Sequence, residues 1–281
     1  MGFLQDADKS ERPFFIYLAF NAPHDPRQAP QEYLDKYPAS EIIVPRNFLP
    51  RYPYCDEIAN PHRLRDENLA PMPRTRHSVQ VHRREYYAII THMDTQIGRV
   101  LDQLKSSGKE KETYVVFTAD HGLAVGQHGL FGKQNMYDHS VRVPFMVTGP
   151  GVAAGETNDA PIYLQDIIPT SLDWAGADTP DHVQFKSIQP HLEGNGKKRE
   201  YVYGAYLGVQ RSITADGYKL MYYPKANNML RLYKVSEDPH ETNDLMKSND
   251  PSLKGVVARL WNRLIAAQAD FGDSLKLEKP E

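Results

Sequence analysis

The stretch Tyr114-Val115-Val116-Phe117-Thr118-Ala119-Asp120-His121-Gly122 decides the fold. Its first five residues are β-prone and mostly apolar, which reads as a short strand inside a sheet, and Asp-His-Gly ends it. Upstream, Tyr86, Tyr87, Ile90, Met93, Ile97, Val100, Leu101 and Leu104 recur at steps of three and four, the single apolar stripe of an amphipathic helix, with Gly108 as its stop. Helix followed by strand predicts an α/β fold with a largely parallel sheet sandwiched by helices. In such sheets, groups at the carboxyl ends of strands converge on ligands, so Asp120 and His121 are candidate site residues by position.

The run Phe14-Phe15-Ile16-Tyr17-Leu18-Ala19-Phe20 reads as a strand buried on both faces. Asn21-Ala22-Pro23-His24-Asp25-Pro26 stops it, which places His24 in a loop just past the strand tip. Pro38 to Arg76 is punctuated by Pro45, Pro50, Pro53, Pro61, Pro71 and Pro73, with Arg46, Arg51, Arg63, Arg65 and Arg74 among them. So long an irregular excursion predicts either the wall of a binding cleft or a plain cover loop.

Downstream, Val143-Pro144-Phe145-Met146-Val147 predicts a strand whose proline marks an edge or an irregular start, and Leu164 to Trp174 predicts a helix closing near Gly176. Past residue 180 the pattern changes to short tyrosine-rich runs, Tyr201–Tyr206, Val209–Thr214, Tyr218–Tyr223 and Leu230–Val235, with Asp216-Gly217 as a hairpin turn. This predicts a small antiparallel sheet, followed by a helix carrying Val257, Leu260, Trp261, Leu264 and Ile265, and a frayed charged tail at Lys276–Glu281. Two units are therefore expected: residues 1–180 as part of an α/β catalytic domain, and 181–281 as a C-terminal subdomain of antiparallel sheet plus helix.

Composition bounds the function. Lys+Arg 33 against Asp+Glu 36 gives a net charge of −3, which argues against a nucleic-acid-coating domain, and 40% hydrophobic residues suffice for a core. The single cysteine, Cys55, excludes an internal disulfide framework and a cysteine-based zinc site. No apolar run reaches the roughly 18 residues of a membrane span, and the first residues carry no targeting pattern, so the compartment stays open.

Two chemistries are open for Asp120-His121: a divalent cation that compensates the desolvated pair, or a strand-end turn in which the carboxylate bonds backbone amides. Beyond it, Gly126-Gln127-His128-Gly129-Leu130-Phe131-Gly132-Lys133-Gln134-Asn135-Met136-Tyr137-Asp138-His139 is rich in glycine and in groups able to bind an anion, and Lys133 is its one cation.

Together these pieces resemble the sulfatase family of the alkaline-phosphatase superfamily, over nearly the whole chain. The resemblance rests on Pro13-Phe-Phe-Ile-Tyr-Leu-Ala-Phe-Asn-Ala-Pro-His24, on Tyr87-Ala88 through Met93-Asp94 and Ile97-Gly98-Arg99-Val100-Leu101, and on Phe117 to Gly122. It continues through Gln127-His128-Gly129, Gly132-Lys133, Tyr137-Asp138-His139-Ser140-Val141-Arg142-Val143-Pro144, Leu232-Tyr233, and Asp238-Pro239 with Glu241 and Asn243. It implies hydrolysis of a sulfate ester by a cysteine-derived formylglycine hydrate, with a divalent ion holding the sulfate oxygens. By the same resemblance Asp120 and His121 are metal ligands, His24 is a sulfate-contacting histidine that assists the leaving oxygen, and Lys133 stabilises the sulfate. Calcium is the implied ion; because calcium prefers oxygen donors and His121 is an imidazole, manganese and zinc stay as rivals. No organic cofactor is needed.

His128, His139 and Arg211 are further candidates for contact with the substrate's sugar or alcohol, against bracing or surface roles, and Arg142 is open between bracing and contact. Tyr17, Tyr86, Tyr87 and Trp261 read as core or interface.

The departure concerns the nucleophile. The family's signature, Cys-x-Pro-x-Arg or Cys-x-Ala-x-Arg, is not met by Cys55, which is followed by Asp56-Glu57-Ile58-Ala59. Cys55 is thus not the nucleophile, and the expectation is a C-terminal portion of a sulfatase whose nucleophile segment lies in an upstream half, with any secretion signal there too. Such a chain should expose the face where upstream strands would pack. The expected substrate is a sulfate monoester, a sulfated carbohydrate before an aryl or choline ester. The rivals are phosphodiester or phosphonate hydrolysis on the same architecture, and a non-catalytic anion- or glycan-binding protein.

Overall fold

The computed structural model describes residues 2–10, 12–58, 64–227 and 229–278. Pro61, Arg63, Ala59 and the last three residues of the expected tail lie outside them. Among the described residues the helices are α1 (Gly2–Asp8), α2 (Gln31–Leu34), α3 (Cys55–Ile58), α4 (Arg76–Ser106), α5 (Asp138–Val141), α6 (Ile167–Trp174), α7 (Gln189–Leu192) and α8 (Leu253–Asp270). The strands are β1 (Val115–Thr118), β2 (Phe145–Thr148), β3 (Val202–Tyr206), β4 (Gln210–Ala215), β5 (Tyr218–Tyr223) and β6 (Met229–Tyr233).

α4 is the expected amphipathic helix, extended by almost three turns at its start. Thr75 caps it: its hydroxyl accepts from Ser78 N at 3.1 Å and Ser78 Oγ accepts from Thr75 N at 3.3 Å, a reciprocal capping box. Val79, Ala88, Ile89 and Leu104 are buried, while Leu101 on the anticipated stripe is 43% exposed.

β1 follows the helix as expected, and its ladder in this chain is with β2, antiparallel, from Val115↔Thr148 to Thr118↔Phe145. β2 begins just after Pro144, because proline has no amide hydrogen to give the ladder. The run Phe14–Phe20 is a correction to the sequence reading: no strand is assigned there, and Phe15 (76% exposed), Tyr17 (81%) and Leu18 (53%) stand in solvent instead of being buried. A strand exists only where a neighbour takes its amides and carbonyls, and among the described residues this run has none. Met146 of β2 is also exposed.

The C-terminal sheet, in order β3-β4-β5-β6, is antiparallel throughout. Asp216 (φ 54°) and Gly217 (φ 77°) form the two-residue turn between β4 and β5, a left-handed pair suited to a tight hairpin. Both faces of this sheet are covered, so alternation in its strands sorts side chains between two cores and not between core and water. Leu220, Tyr222, Leu232 and Ile213 pack against Leu260, Trp261 and Leu264 of α8. On the other face Met221, Tyr223 and Tyr233 pack with Tyr52, Cys55, Leu130 and Tyr137 from the first half of the chain.

The second face carries a buried polar staple. Lys219, 2% exposed, bonds Asp138 Oδ1, the Met136 carbonyl (3.1 Å) and Glu241 Oε1 (2.6 Å), while Glu241 Oε2 accepts Asp138 N at 2.8 Å. Burial raises the Glu241 carboxyl above its ordinary range, and Lys219 opposes that rise. Asp238, of the same Asp-Pro-x-Glu-x-Asn run, accepts Asn243 N at 2.8 Å and Thr242 Oγ1 at 3.0 Å, shaping the turn that delivers Glu241. Removing one partner of a buried charge pair leaves the other uncompensated. Lys219→Met should therefore cost about 3–5 kcal/mol in urea unfolding; a change under about 1 kcal/mol would mean that water reaches the freed carboxylates.

Candidate functional site

The site is assembled from a short 3-10 turn, Arg65–Leu69, in the proline- and arginine-rich excursion. Its consecutive carboxylates Asp66 and Glu67 are 3% and 5% exposed. Glu67 accepts from Phe131 N (3.1 Å) and Gly132 N (2.8 Å) and pairs with fully buried Arg74 at 2.7 Å. Arg74 in turn donates to the carbonyls of Ala70, Glu67 and Gly129 and lies 4.7 Å from the Phe131 ring centroid. These bonds hold the backbone immediately before Lys133. Gly132 has no room for a side chain: a Cβ there would stand 2.6 Å from Gln134 Oε1 and 3.0 Å from Glu67 Oε1.

Asp66 takes the side chain that follows. Its Oδ2 lies 3.0 Å from Lys133 Nζ, and its Oδ1 accepts from Arg65 Nη2 at 3.3 Å. Burial alone would raise the Asp66 carboxyl, and the bond and charge of Lys133, helped by Arg65, hold it below the usual carboxylate range. Arg65 Nη2 also donates to His24 Nε2 at 2.9 Å and stands 3.4 Å from Asp25 Oδ2. His24 Nδ1 donates to the Asp25 carbonyl at 2.8 Å, a partner that assigns the ring hydrogen to Nδ1 and leaves the lone pair on Nε2. His24 and Lys133 are thus joined through Arg65 and Asp66, although 109 positions separate them in the chain.

Asp120 and His121 form a second pair, at the end of β1. Asp120 Oδ1 accepts His121 N at 3.0 Å, and His121 Nδ1 donates to the Gly122 carbonyl at 2.9 Å. The His121 Nε2 lone pair then faces Asp120 Oδ2 at 3.5 Å, two acceptors close together on a side where Asp120 is 84% exposed. The pair is fixed from behind: Gly122 N donates to Ser140 O at 2.9 Å, and a Cβ on Gly122 would meet His139 O at 2.1 Å. Among the described residues no hydrogen bond or ion pair joins this pair to the His24–Lys133 group.

Two adjacent acceptors suit a cation, yet among the described residues no group of three or more His, Cys, Asp or Glu could hold a metal ion. One carboxylate and one imidazole fall short of the six to eight oxygens that calcium takes, so these residues do not by themselves fit a complete metal centre.

The remaining candidates are placed inside the protein. His128, 4% exposed, stacks on Tyr137 (3.9 Å, 17°) and is bonded by Asn47 Nδ2 at 3.1 Å. His139 is half-buried, its Nδ1 beside Ser140 Oγ (2.9 Å) and its enclosed Nε2 without a partner among the described residues. Arg211, 5% exposed, binds Asp273 through Nε (2.5 Å) and Nη2 (3.1 Å) and the Leu207 carbonyl through Nη1 (2.5 Å). Of these three candidates for substrate contact, His128 and Arg211 bond protein groups in this structure and His139 is half-buried. Arg142 lies 3.7 Å from Asp138, a bracing contact one helical turn away.

The glycines of the 126–132 run serve packing and not the anion binding that their composition suggests. A Cβ on Gly126 would lie 2.4 Å from Val79 Cγ1, and one on Gly129 2.8 Å from the Arg51 carbonyl carbon. Cys55 is 2% exposed, and burial followed by the nearby Glu67 charge pushes its thiol up to about 11, opposite to an activated nucleophile. The site roles of Arg65, Asp66 and Glu67 escape a reading of the sequence because their only signal is an arginine-rich loop, and the same stretch holds a second acidic pair, Asp56-Glu57.

A sulfatase family model matches residues 1–177, and a model described as N-sulphoglucosamine sulphohydrolase, C-terminal, matches residues 126–270. The chain belongs to the sulfatase family, whose members are generally metal-dependent. It is 30% identical to an arylsulfatase of Clostridium perfringens over 88% of this chain and 52% of that protein. It is 32% identical to an N-acetylglucosamine-6-O-sulfatase of Bacteroides thetaiotaomicron over 71% of this chain and 38% of that one. The solved structure of a phosphonate monoester hydrolase of Agrobacterium radiobacter superposes with a TM-score of 0.78 at 22% identity, over 95% of this chain and 59% of that one. The fold is therefore alkaline-phosphatase-like. The chain spans about half the length of the curated relatives it matches.

His128 makes stability pH-dependent. Burial, with Arg231 nearby, lowers its imidazole to about 3, so below the ordinary value near 6.5 the unfolded chain binds a proton that the folded one refuses. Stability contributed by neutral His128 is complete above about pH 6.5 and is lost as pH falls toward 3. Urea unfolding at pH 5.5 should show about 1 kcal/mol less stability than at pH 7 from this group. A flat profile between those values would contradict its enclosure.

Proposed function

We propose that this chain is the part of a sulfuric ester hydrolase that holds the sulfate and assists its leaving oxygen, acting on sulfate monoesters of carbohydrates. The observation that carries the reading is the meeting of His24 and Lys133 around Asp66. A sulfuryl centre gathers charge on its nonbridging and leaving oxygens; an ammonium offsets the first, and an imidazole that has first taken a proton on Nε2 as imidazolium delivers it to the second, returning to the neutral ring. Asp120 and His121 supply two ligands to a divalent cation, calcium by family resemblance with manganese or zinc as rivals, and residues outside this chain complete its shell. That cation, when bound, draws charge from the sulfate oxygens.

The formylglycine-type nucleophile belongs, in this reading, to an upstream half. The Asp56-Glu57-Ile58-Ala59 run after Cys55, which lacks the signature, supports that assignment, and so does the exposed apolar run at Phe15–Leu18. Residues 1–180 then act as part of the catalytic domain and 181–281 as a subdomain that backs the 124–140 region. The carbohydrate preference draws on the likeness to the N-acetylglucosamine-6-O-sulfatase. The rival, phosphonate ester hydrolysis, draws on the fold likeness to the phosphonate monoester hydrolase.

Pure chain should show no turnover of 4-nitrophenyl sulfate; measurable turnover would contradict the division of the site. In a form that includes an upstream portion with the formylglycine signature, His24→Ala and Lys133→Ala should each lower kcat by about a hundredfold or more. Preference for a phosphonate monoester over a sulfated sugar in kcat/KM would favour the rival.

A further inference from the structure

Arg65 occupies the point where the proposed substrate must arrive. With His24 Nδ1 committed to the Asp25 carbonyl, Nε2 is the ring nitrogen left to meet a ligand oxygen, and Arg65 Nη2 lies 2.9 Å from it. Any oxygen that bonds Nε2 therefore comes within bonding reach of the guanidinium.

Three features decide what Arg65 does at that point. Its side chain is 64% exposed, whereas those of its anchors Asp25 and Asp66 are 17% and 5% exposed, so the head can move while the acids stay fixed. Its bonds all run through Nη2, while among the described residues Nη1 and Nε have no partner; each two-pronged edge of the guanidinium includes Nη2, so either edge becomes complete once Nη2 lets go of its present partners. Asp66 keeps Lys133 at 3.0 Å and Gln134 at 3.5 Å when Arg65 leaves, so the move strands no buried carboxylate.

We propose that Arg65 is a substrate-contacting residue: on binding, its guanidinium leaves His24 Nε2 and pairs two-pronged with a second anionic group of the ligand, selecting esters that carry more than one negative charge. This rests on the reading of His24 as the sulfate-contacting histidine. Lys133 and Arg65, held on the two oxygens of the Asp66 carboxylate, then divide the work, the lysine on the reacting sulfate and the arginine on its neighbour.

The test titrates the purified chain with glucosamine 6-sulfate and with glucosamine 2-N,6-O-disulfate, following the His24 ring nitrogens by NMR and affinity by calorimetry. Arg65→Ala should weaken the disulfate by about tenfold and the monosulfate by less than about threefold, with Arg65→Lys in between. The side chain is mostly solvated, so the melting temperature should hold, and circular dichroism checks it. Tighter binding by Arg65→Ala would make the arginine a cap and overturn the proposal, as would no change or an equal loss for both ligands. If His24→Ala weakens binding and Arg65→Ala does not, this inference alone fails. If sulfate leaves the wild-type His24 signals unmoved, or His24→Ala binds as well as wild type, the site reading fails with it.

Discussion

Two adjacent buried carboxylates govern the site. Asp66 and Glu67 reach in different directions from one 3-10 turn: Glu67 grips the backbone of Phe131 and Gly132, and Asp66 grips the Lys133 side chain just beyond. Acids this deeply enclosed persist as charges only when cations and amide hydrogens compensate them, and Arg74, Arg65 and Lys133 do so. The compensation also transmits position. Because Arg65 belongs to the same turn and reaches His24, one short segment relates a histidine from the start of the chain to a lysine from its middle.

The C-terminal sheet contributes from behind. Its inner face meets the first half of the chain through Tyr137, whose hydroxyl accepts from Arg231 at 2.6 Å, and through Lys219 on Asp138 and Glu241. Asp138, His139 and Ser140 lie in α5, and Ser140 O receives the Gly122 amide that follows the Asp120-His121 pair. The sheet thus backs one of the two clusters through a single helical turn. The Asp-Pro-x-Glu-x-Asn run acquires a physical role by the same route, since it delivers Glu241 to the staple.

The sequence was legible where local chemistry decides. Short apolar and tyrosine-rich runs placed β1 and the four strands of the C-terminal sheet, apolar residues three and four apart placed α4 and α8, and Asp216-Gly217 marked the hairpin. It was not legible where partners decide. Phe14–Phe20 has a strand's composition, yet a ladder needs a second strand, and composition cannot supply one. Likewise His128, Lys133, His139 and Arg211 are all polar residues in suggestive places. What separates Lys133, linked to His24 through Asp66 and Arg65, from Arg211, spent on Asp273, is the identity of the nearest carboxylate, a long-range fact. The glycines at 126 and 129 mislead for the same reason: close approach of Val79 and of the Arg51 backbone demands glycine as strongly as an anion would.

The two clusters differ in a way that bears on how a shared ligand would form. The His24–Lys133 group is already linked by direct hydrogen bonds and charges through Arg65, with Asp66 buried beneath it. The Asp120-His121 pair instead sets a carboxylate oxygen and an imidazole nitrogen side by side at 3.5 Å. Its backbone is fixed from behind while its acceptors face outward, so what it lacks is charge and further donors, not position.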